Sequence, residues 1–397
     1  MKPTKWINLS IFAFAAALSQ ALWLNFGPLI FEIEKKFNVT EDSAGLLLMV
    51  FPLVYVLVSI PSGKFIDKRG YRSGLILGTL IMTLGSGLRI FSNTFTLLLM
   101  AQIIIAFSQP FIINSISKLV LEWFDENQEA IATGLGTMGM FIGMAAGLMA
   151  TPYMVEKMGF KETMAIFALL SIISFLSCIK FLKTSPVSPS ASRAPTTAFF
   201  NDLKMFMKDK NLAIIFILAF LGLGFFNGLT TWLEPILAPH GINSLQAGTI
   251  GGALILGGIA GAVIIPLFSD LYKRRKPFVI LGLTVAALTL LPLCSGGTFK
   301  TLLILSVIQG FFFLPAFSLI LQMCSEQVGE AHGATATGLL MLLGNAGGVV
   351  VILLMQLVKS DTLGFTPSIY LMLGLILLSG GLILFLRETH PVFNHRE

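Results

Sequence analysis

Apolar residues occur along this chain in twelve runs of about 20, each closed by a short polar stretch. The runs lie near residues 6–29, 44–62, 73–91, 95–119, 130–153 and 163–183. After a gap they resume near 212–237, 246–268, 277–294, 300–323, 334–357 and 367–386. A helix needs about 20 mostly apolar residues to cross the hydrocarbon core of a bilayer. The pattern therefore predicts an all-α membrane protein of twelve transmembrane helices. The expected organisation is an N-terminal six-helix bundle (1–183), a cytoplasmic linker (184–211) and a C-terminal six-helix bundle (212–397). Met1 to Lys5 and the run behind them read as an uncleaved first span, because the apolar stretch continues to Ile30 without a good cleavage site.

Composition agrees. Asp, Glu, Lys and Arg make up 12% of the sequence and apolar residues 55%, against about 25% charged residues in soluble domains. Lipid is the expected solvent, which excludes intrinsic disorder and a nucleic-acid platform. Cys178, Cys294 and Cys324 are scattered through apolar runs and suggest neither a disulfide framework nor a zinc site. His240, His332, His390 and His395 all fall outside the runs, and no catalytic constellation lies within them. No cofactor and no enzymatic activity are expected.

Basic residues give an orientation, since cytoplasmic loops collect Lys and Arg. With the N-terminus inside, only Lys35, Lys36, Arg89, Lys157, Lys161, Lys300 and Lys359 of the 26 basic residues fall outside. Both termini are thus expected in the cytoplasm, in a cell membrane. Glu122, Asp125, Glu126 and Glu129 run against the trend on the inner side. In the linker, TSPVSPSASRAPTT (184–197) predicts flexibility. The following AFFNDLKMFMKDK places Phe199, Phe200, Leu203, Phe206 and Met207 opposite Asp202, Lys204, Lys208 and Asp209, which predicts an amphipathic helix at the inner interface.

The two halves repeat. Gly45 precedes Asp67 by 22 residues and Gly248 precedes Asp270 by the same 22, while ATGL at 132–135 recurs at 336–339. Repeat halves rocking about a central site are how many carriers alternate access. Between the second and third runs stands GKFIDKRGYR (63–72). Gly63 would let another helix approach closely, Asp67 would face a helix N-terminus, and Lys68, Arg69 and Arg72, with Gly70, complete the loop. This segment resembles the loop signature of the major facilitator superfamily. The resemblance implies two pseudo-symmetric six-helix bundles and a conformational switch that latches the cytoplasmic side. The second copy, PLFSDLYKRRK (266–276), keeps Asp270 but has Pro266 in place of the glycine, so the latch is expected to rest mainly on Asp67.

A narrower resemblance concerns substrate. WLNFGPLIFEIEKKFNV (23–39), SGKFIDKRGYRSGLILG (62–78) and AFSQPFIINSISKLVLEWF (106–124) are similar to the haem and choline transporter family named after the feline leukaemia virus subgroup C receptor. That family holds a quaternary ammonium on a first-span Trp and a seventh-span Tyr, with amides nearby. The resemblance implies these roles for Trp23, Gln109 and Asn345. Asn227 stands where the Tyr would be, and Asn227→Tyr is expected to restore the second aromatic wall.

Polar side chains at membrane depth usually face the bundle interior. Here they are Gln20, Trp23, Asn25, Gln102, Gln109, Asn114, Asn227, Trp232, Glu234, Gln309, Gln322 and Asn345, with Arg89 and Glu234 alone ionisable. Amides and indoles suit a cation on an aromatic face or a small neutral solute better than an anion. The substrate candidates are Trp23, Gln109, Asn227, Asn345 and Trp232, and Glu234 is the candidate for coupling to protons. Each has a plainer reading. Trp23 would be an interface-belt residue, Gln109 would satisfy carbonyls freed by Pro110, and Glu234 would be a solvated carboxylate at a helix end. The glycines at 139, 143, 147, 248, 252, 257 and 261 are expected to serve helix packing.

The expected function is a secondary transporter of a small organic solute, a cationic amine or neutral metabolite, working by alternating access and facilitated diffusion. Multidrug or metabolite efflux by proton antiport is the alternative, followed by haem transport or a non-transporting receptor. The expected partners are the small-molecule substrate and the lipid bilayer, with no nucleic acid, and a monomer is expected.

Overall fold

The computed structural model describes residues 2–184 and 205–388. Among them twelve helices are long and apolar enough to cross a membrane, and we number them as spans 1 to 12. The first six are Thr4–Phe37, Glu41–Arg69, Tyr71–Ile90, Phe95–Trp123, Asn127–Met158 and Phe160–Phe181. The others are Lys210–His240, Ser244–Leu271, Lys276–Cys294, Phe299–Val328, Thr335–Leu357 and Thr366–Phe385. No strand occurs among the described residues, where Ser360 and Gly364 form an isolated bridge.

Several spans outrun their apolar runs. Span 2 continues through Lys64, Asp67 and Arg69, and span 5 reaches Met158, because a helix keeps its backbone hydrogen bonds where its side chains turn polar. Two spans are broken. In span 1 the helix Lys2–Leu24 yields to a turn at Gly27–Leu29 and resumes over Ile30–Phe37. In span 4 the helix Phe95–Ile113 stops at Asn114, four residues past Pro110, before Ser115–Trp123. Asn114 is used across the gap to span 2: its Nδ2 donates to Ser62 Oγ at 3.0 Å, and Tyr55 donates its hydroxyl to Oδ1 at 3.1 Å.

The protein divides into two compact units. One holds the described residues before the linker together with Ala247–Gly252, and the other holds the remainder. The internal repeat is visible in the local chemistry of both. Thr94 caps span 4 by accepting from Leu97 N–H, and Thr298 caps span 10 by accepting from Thr301 N–H. Asn8 Oδ1 accepts from Lys183 N–H in one unit and Asn211 Oδ1 from Arg387 N–H in the other. Each pair ties the end of the unit's last span to the start of its first.

Small residues set the packing, as expected for helices in lipid. A Cβ placed on Gly143 would sit 1.9 Å from the Ala17 carbonyl oxygen, so spans 1 and 5 approach backbone to backbone. Gly261 lies equally close to the Phe311 carbonyl, an acceptor that Pro315 has deprived of its helical donor. Gly63 departs from expectation. A Cβ there meets nothing within 4 Å among the described residues, so no described helix approaches at that point. The demanding glycine of the motif is Gly70, whose φ of +85° lets the backbone leave span 2 while its N–H bonds the Ile66 carbonyl.

Most of the expected amphipathic helix lies outside the described residues. Of its described part, Phe206 is buried against Phe216, at 6.3 Å between ring centroids, with Met205 and Met207 exposed on either side. Asp209 leaves helical geometry, and its carboxylate accepts from Asn211 and Leu212 N–H. It therefore caps span 7 and separates the segment from it.

Candidate substrate site and switch loops

In the first unit the site residues are organised by a proline. Pro52 has no N–H, so the Leu48 carbonyl one turn back in span 2 loses its helical partner. Trp23 Nε1 donates to that carbonyl at 3.1 Å. Phe51 backs the indole at 6.1 Å with an interplanar angle of 25°. Trp23 is only 8% exposed, which corrects the interface-belt reading, since a belt indole keeps its N–H among the head groups. Phe51 and the Leu48 carbonyl were not singled out from sequence, although Pro52 signalled an orphaned acceptor.

Gln109 is buried, and its Nε2 has no partner among the described residues. It does not satisfy the backbone freed by Pro110, so that reading is corrected too. In the second unit Asn227 is 1% exposed with both amide atoms unpartnered. It sits over Gly348 of span 11, where a Cβ would lie 2.2 Å from its Nδ2. The Gly348 backbone thus packs against the Asn227 amide and narrows the space on that side for the phenol of Asn227→Tyr. Asn345 is half-buried, and its Nδ2 donates to Met341 in its own helix at 2.9 Å.

Trp232, expected to touch substrate, is instead enclosed. It is 0% exposed, its Nε1 donates to the Ile352 carbonyl at 3.3 Å, and Phe365 packs 5.3 Å away. A buried amide without a partner costs about 1–3 kcal/mol, so Gln109 and Asn227 are groups for which a polar ligand or water would compensate. Gln20, Asn25 and Gln309 share that condition.

Of the two ionisable residues, Glu234 differs from its plainer reading. Glu234 is 1% exposed and accepts from Ser244 Oγ at 2.5 Å, so it is not a solvated carboxylate. Arg89 is equally buried. Its Nη2 bonds the Leu22 carbonyl at 2.9 Å and Gln102 Oε1, and its guanidinium lies 4.7 Å over the Phe26 ring. Its charge is turned into the packing of spans 1, 3 and 4.

The switch loops differ between units. In the first, Asp67 is exposed, Lys118 Nζ donates to the Ile66 and Asp67 carbonyls at 3.0 and 2.7 Å, and Arg72 Nε to Leu182 at 3.0 Å. These cations sit on helix C-terminal ends, where the backbone dipole favours them. Arg69 is exposed.

The second copy holds an ionic cluster. Arg275 pairs with Asp270 at 3.2 Å and Glu326 at 2.5 Å, and donates to Gln322 at 2.6 Å. Glu388 accepts from the backbone N–H of Arg275 and Lys276. Burial pulls the Arg275 pKa down, but Glu326 and Asp270 outweigh it and hold it above the ordinary value. Glu326 was missed, although the corresponding span-4 position in the repeat holds Glu122.

Comparisons with known proteins agree with this architecture. The fold aligns with a solved bacterial homologue of the human lysosomal transporter Spinster at a TM-score of 0.75 and 13% identity, covering 97% of both proteins. A mutant of the nucleoside transporter NupG gives 0.75 and 18%, covering 95% of this protein and 99% of that one. An uncharacterised protein of Archaeoglobus fulgidus is 36% identical over 183 residues, 46% of this sequence and 82% of its own. Solute carrier family 49 member A3 of Xenopus tropicalis is 24% identical over 375 residues, 89% of this sequence and 77% of its own. The human choline/ethanolamine transporter FLVCR2 is 21% identical over 373 residues, 87% and 70% respectively. The profile of the Major Facilitator Superfamily matches residues 11–265 and 234–396. With twelve spans in two repeated units and a profile match along nearly its whole length, the chain belongs to the Major Facilitator Superfamily of membrane transporters.

Proposed function

We propose that this transporter moves a small organic cation of the choline or ethanolamine type by alternating access, down the solute's own gradient. The observation that carries the reading is the Trp23 ring. Its N–H is spent on Leu48 and one side is backed by Phe51, which leaves a π face as the feature it can offer a ligand. Within the same unit, Gln109 would supply an amide group for a hydroxyl or ammonium. Arg89 is engaged elsewhere and does not oppose a cation from an open surface. The name of the FLVCR2 relative supports the same class. The basic-residue distribution supports both termini in the cytoplasm, and the protein acts as a monomer in the plasma membrane.

The test uses choline and its neutral isostere 3,3-dimethylbutan-1-ol on purified protein. A ligand at 100 times its Kd stabilises the folded state by about 2.7 kcal/mol, so both are read by thermal shift. Choline is expected to bind roughly 2- to 30-fold more tightly, the equivalent of a cation–π contribution. Equal responses would remove the cation reading and leave a neutral metabolite.

The burial of Glu234 favours a second reading, proton-coupled efflux, since an enclosed carboxylate at membrane depth can exchange a proton with a transport cycle. For uniport, choline flux into proteoliposomes should survive a protonophore, and Glu234→Gln should keep most of the wild-type flux. Flux that collapses in wild type but not in Glu234→Gln would transfer the assignment to proton coupling.

A further inference from the structure

Arg89 is a fully enclosed cation, and no carboxylate among the described residues pairs with it. Two of its donors, Nε and Nη1, are buried without partners. A charge so placed is costly unless something nearby compensates it. What meets it is a helix end. The helix Lys2–Leu24 stops just before the span-1 break, leaving carbonyls without helical donors. The Asn25 N–H still reaches Ala21, while the Leu22 carbonyl receives Arg89 Nη2 at 2.9 Å and Gln102 Nε2 at 3.4 Å. The cation thus lies at the negative end of a helix dipole, over the ring of Phe26 in the break itself.

Gln102 extends the contact. Its Nε2 also donates to the Leu47 carbonyl of span 2 at 2.9 Å. The next carbonyl along, Leu48, is the one that receives the indole of Trp23. Adjacent carbonyls of one helix are therefore bonded by Gln102 from span 4 and by Trp23 from span 1, with Arg89 holding both Gln102 and the turn that precedes Trp23's break. We infer that Arg89 and Gln102 are positioning residues for Trp23: they fix the end of the first helix against span 2 and so set the direction of the indole face. The consequence for transport rests on the proposed role of Trp23; the effect on Trp23 itself does not.

The experiment isolates Trp23 emission as the difference between each variant and the same variant carrying Trp23→Phe, with acrylamide quenching as the measure of ring accessibility. Arg89→Met and Gln102→Leu are expected to raise quenching of Trp23 about twofold. Both should weaken choline binding about fivefold with a smaller change in maximal flux, since orientation is lost and the remaining machinery is intact. Arg89→Lys keeps a cation at the helix end and should restore most of both signals. If Arg89→Met does not fold, the uncharged exchange Gln102→Leu decides alone. Unchanged Trp23 quenching in the folded variants overturns the inference. So does choline binding that Trp23→Ala weakens but Arg89→Met and Gln102→Leu leave intact. Should Trp23→Ala itself leave choline binding unchanged, the substrate reading falls, and the quenching comparison still decides whether Arg89 and Gln102 position the ring.

Discussion

Gly143→Leu is expected to prevent the first unit from folding. The atom in the way is backbone: the Ala17 carbonyl oxygen lies 1.9 Å from the position of an added Cβ, with the Ala17 carbon atoms at 2.5 Å. No rotamer relieves that contact, so even alanine would force spans 1 and 5 apart. Gly139 and Gly147 stand one turn to either side and face Ala13 and Ala21 in the same way, so separation at 143 opens the whole seam. The loss should exceed about 4 kcal/mol, in the range reserved for severe core overpacking and backbone displacement. Size-exclusion chromatography and thermal melting of detergent-solubilised protein read it directly. Gly134→Ala in the same span is the control, because nothing lies within 4 Å of its added Cβ. It should melt within about 0.5 kcal/mol of wild type. A Gly143→Leu protein that is monodisperse with a wild-type melting temperature would show that the two helices are not packed as described.

Much of this fold was legible because lipid imposes a simple demand: each crossing must be a long apolar helix. The demand is silent at the ends. The KFIDKR stretch of span 2 is polar yet helical to Arg69, so hydropathy closed the run too early. The same blindness explains Glu234. It stands near the end of its apolar run, where the plainer reading predicts solvent, but it is buried and accepts from Ser244 of span 8. Gly63 failed for another reason. A motif names the residue, but whether a helix approaches it depends on the surrounding packing, and here no described residue lies within 4 Å of an added Cβ.

The candidate site was legible by residue type and not by partner. Trp23, Gln109 and Asn227 stood out as polar groups in apolar runs, and they are buried polar groups. That Trp23 would use a carbonyl freed by Pro52 could have been suspected from the proline alone, but the pairing of spans 1 and 2 needed for it is tertiary. Trp232 carries the same indole as Trp23 and has a different surrounding, with its N–H on Ile352 and Phe365 beside it. Residue identity could not separate the two. In the switch loops, Arg275 has one acidic partner, Asp270, within the motif, but the closer one, Glu326, comes from span 10, far from the motif in sequence.

Trp23→Ala should separate a small-cation carrier from a broad drug pump. Loss of the ring removes an attraction of about 0.5–2 kcal/mol for a quaternary ammonium, roughly 2- to 30-fold in affinity. It also removes the packing on Phe51, worth about 3 kcal/mol of stability, so affinity must be compared only among variants shown to be folded. Trp23→Phe provides that comparison. It keeps a π face and much of the volume but leaves the Leu48 carbonyl without its donor, and should retain part of the affinity at a cost of about 1 kcal/mol in stability. Asn227→Tyr, with Gly348 against the amide, is expected to lower the melting temperature instead of gaining affinity. The deciding quantity is the ratio of choline to 3,3-dimethylbutan-1-ol binding. It should collapse in Trp23→Ala and persist, reduced, in Trp23→Phe. A ratio unchanged by Trp23→Ala would mean that the indole only packs against Phe51, and the cation would then have to be met without an aromatic face from this residue.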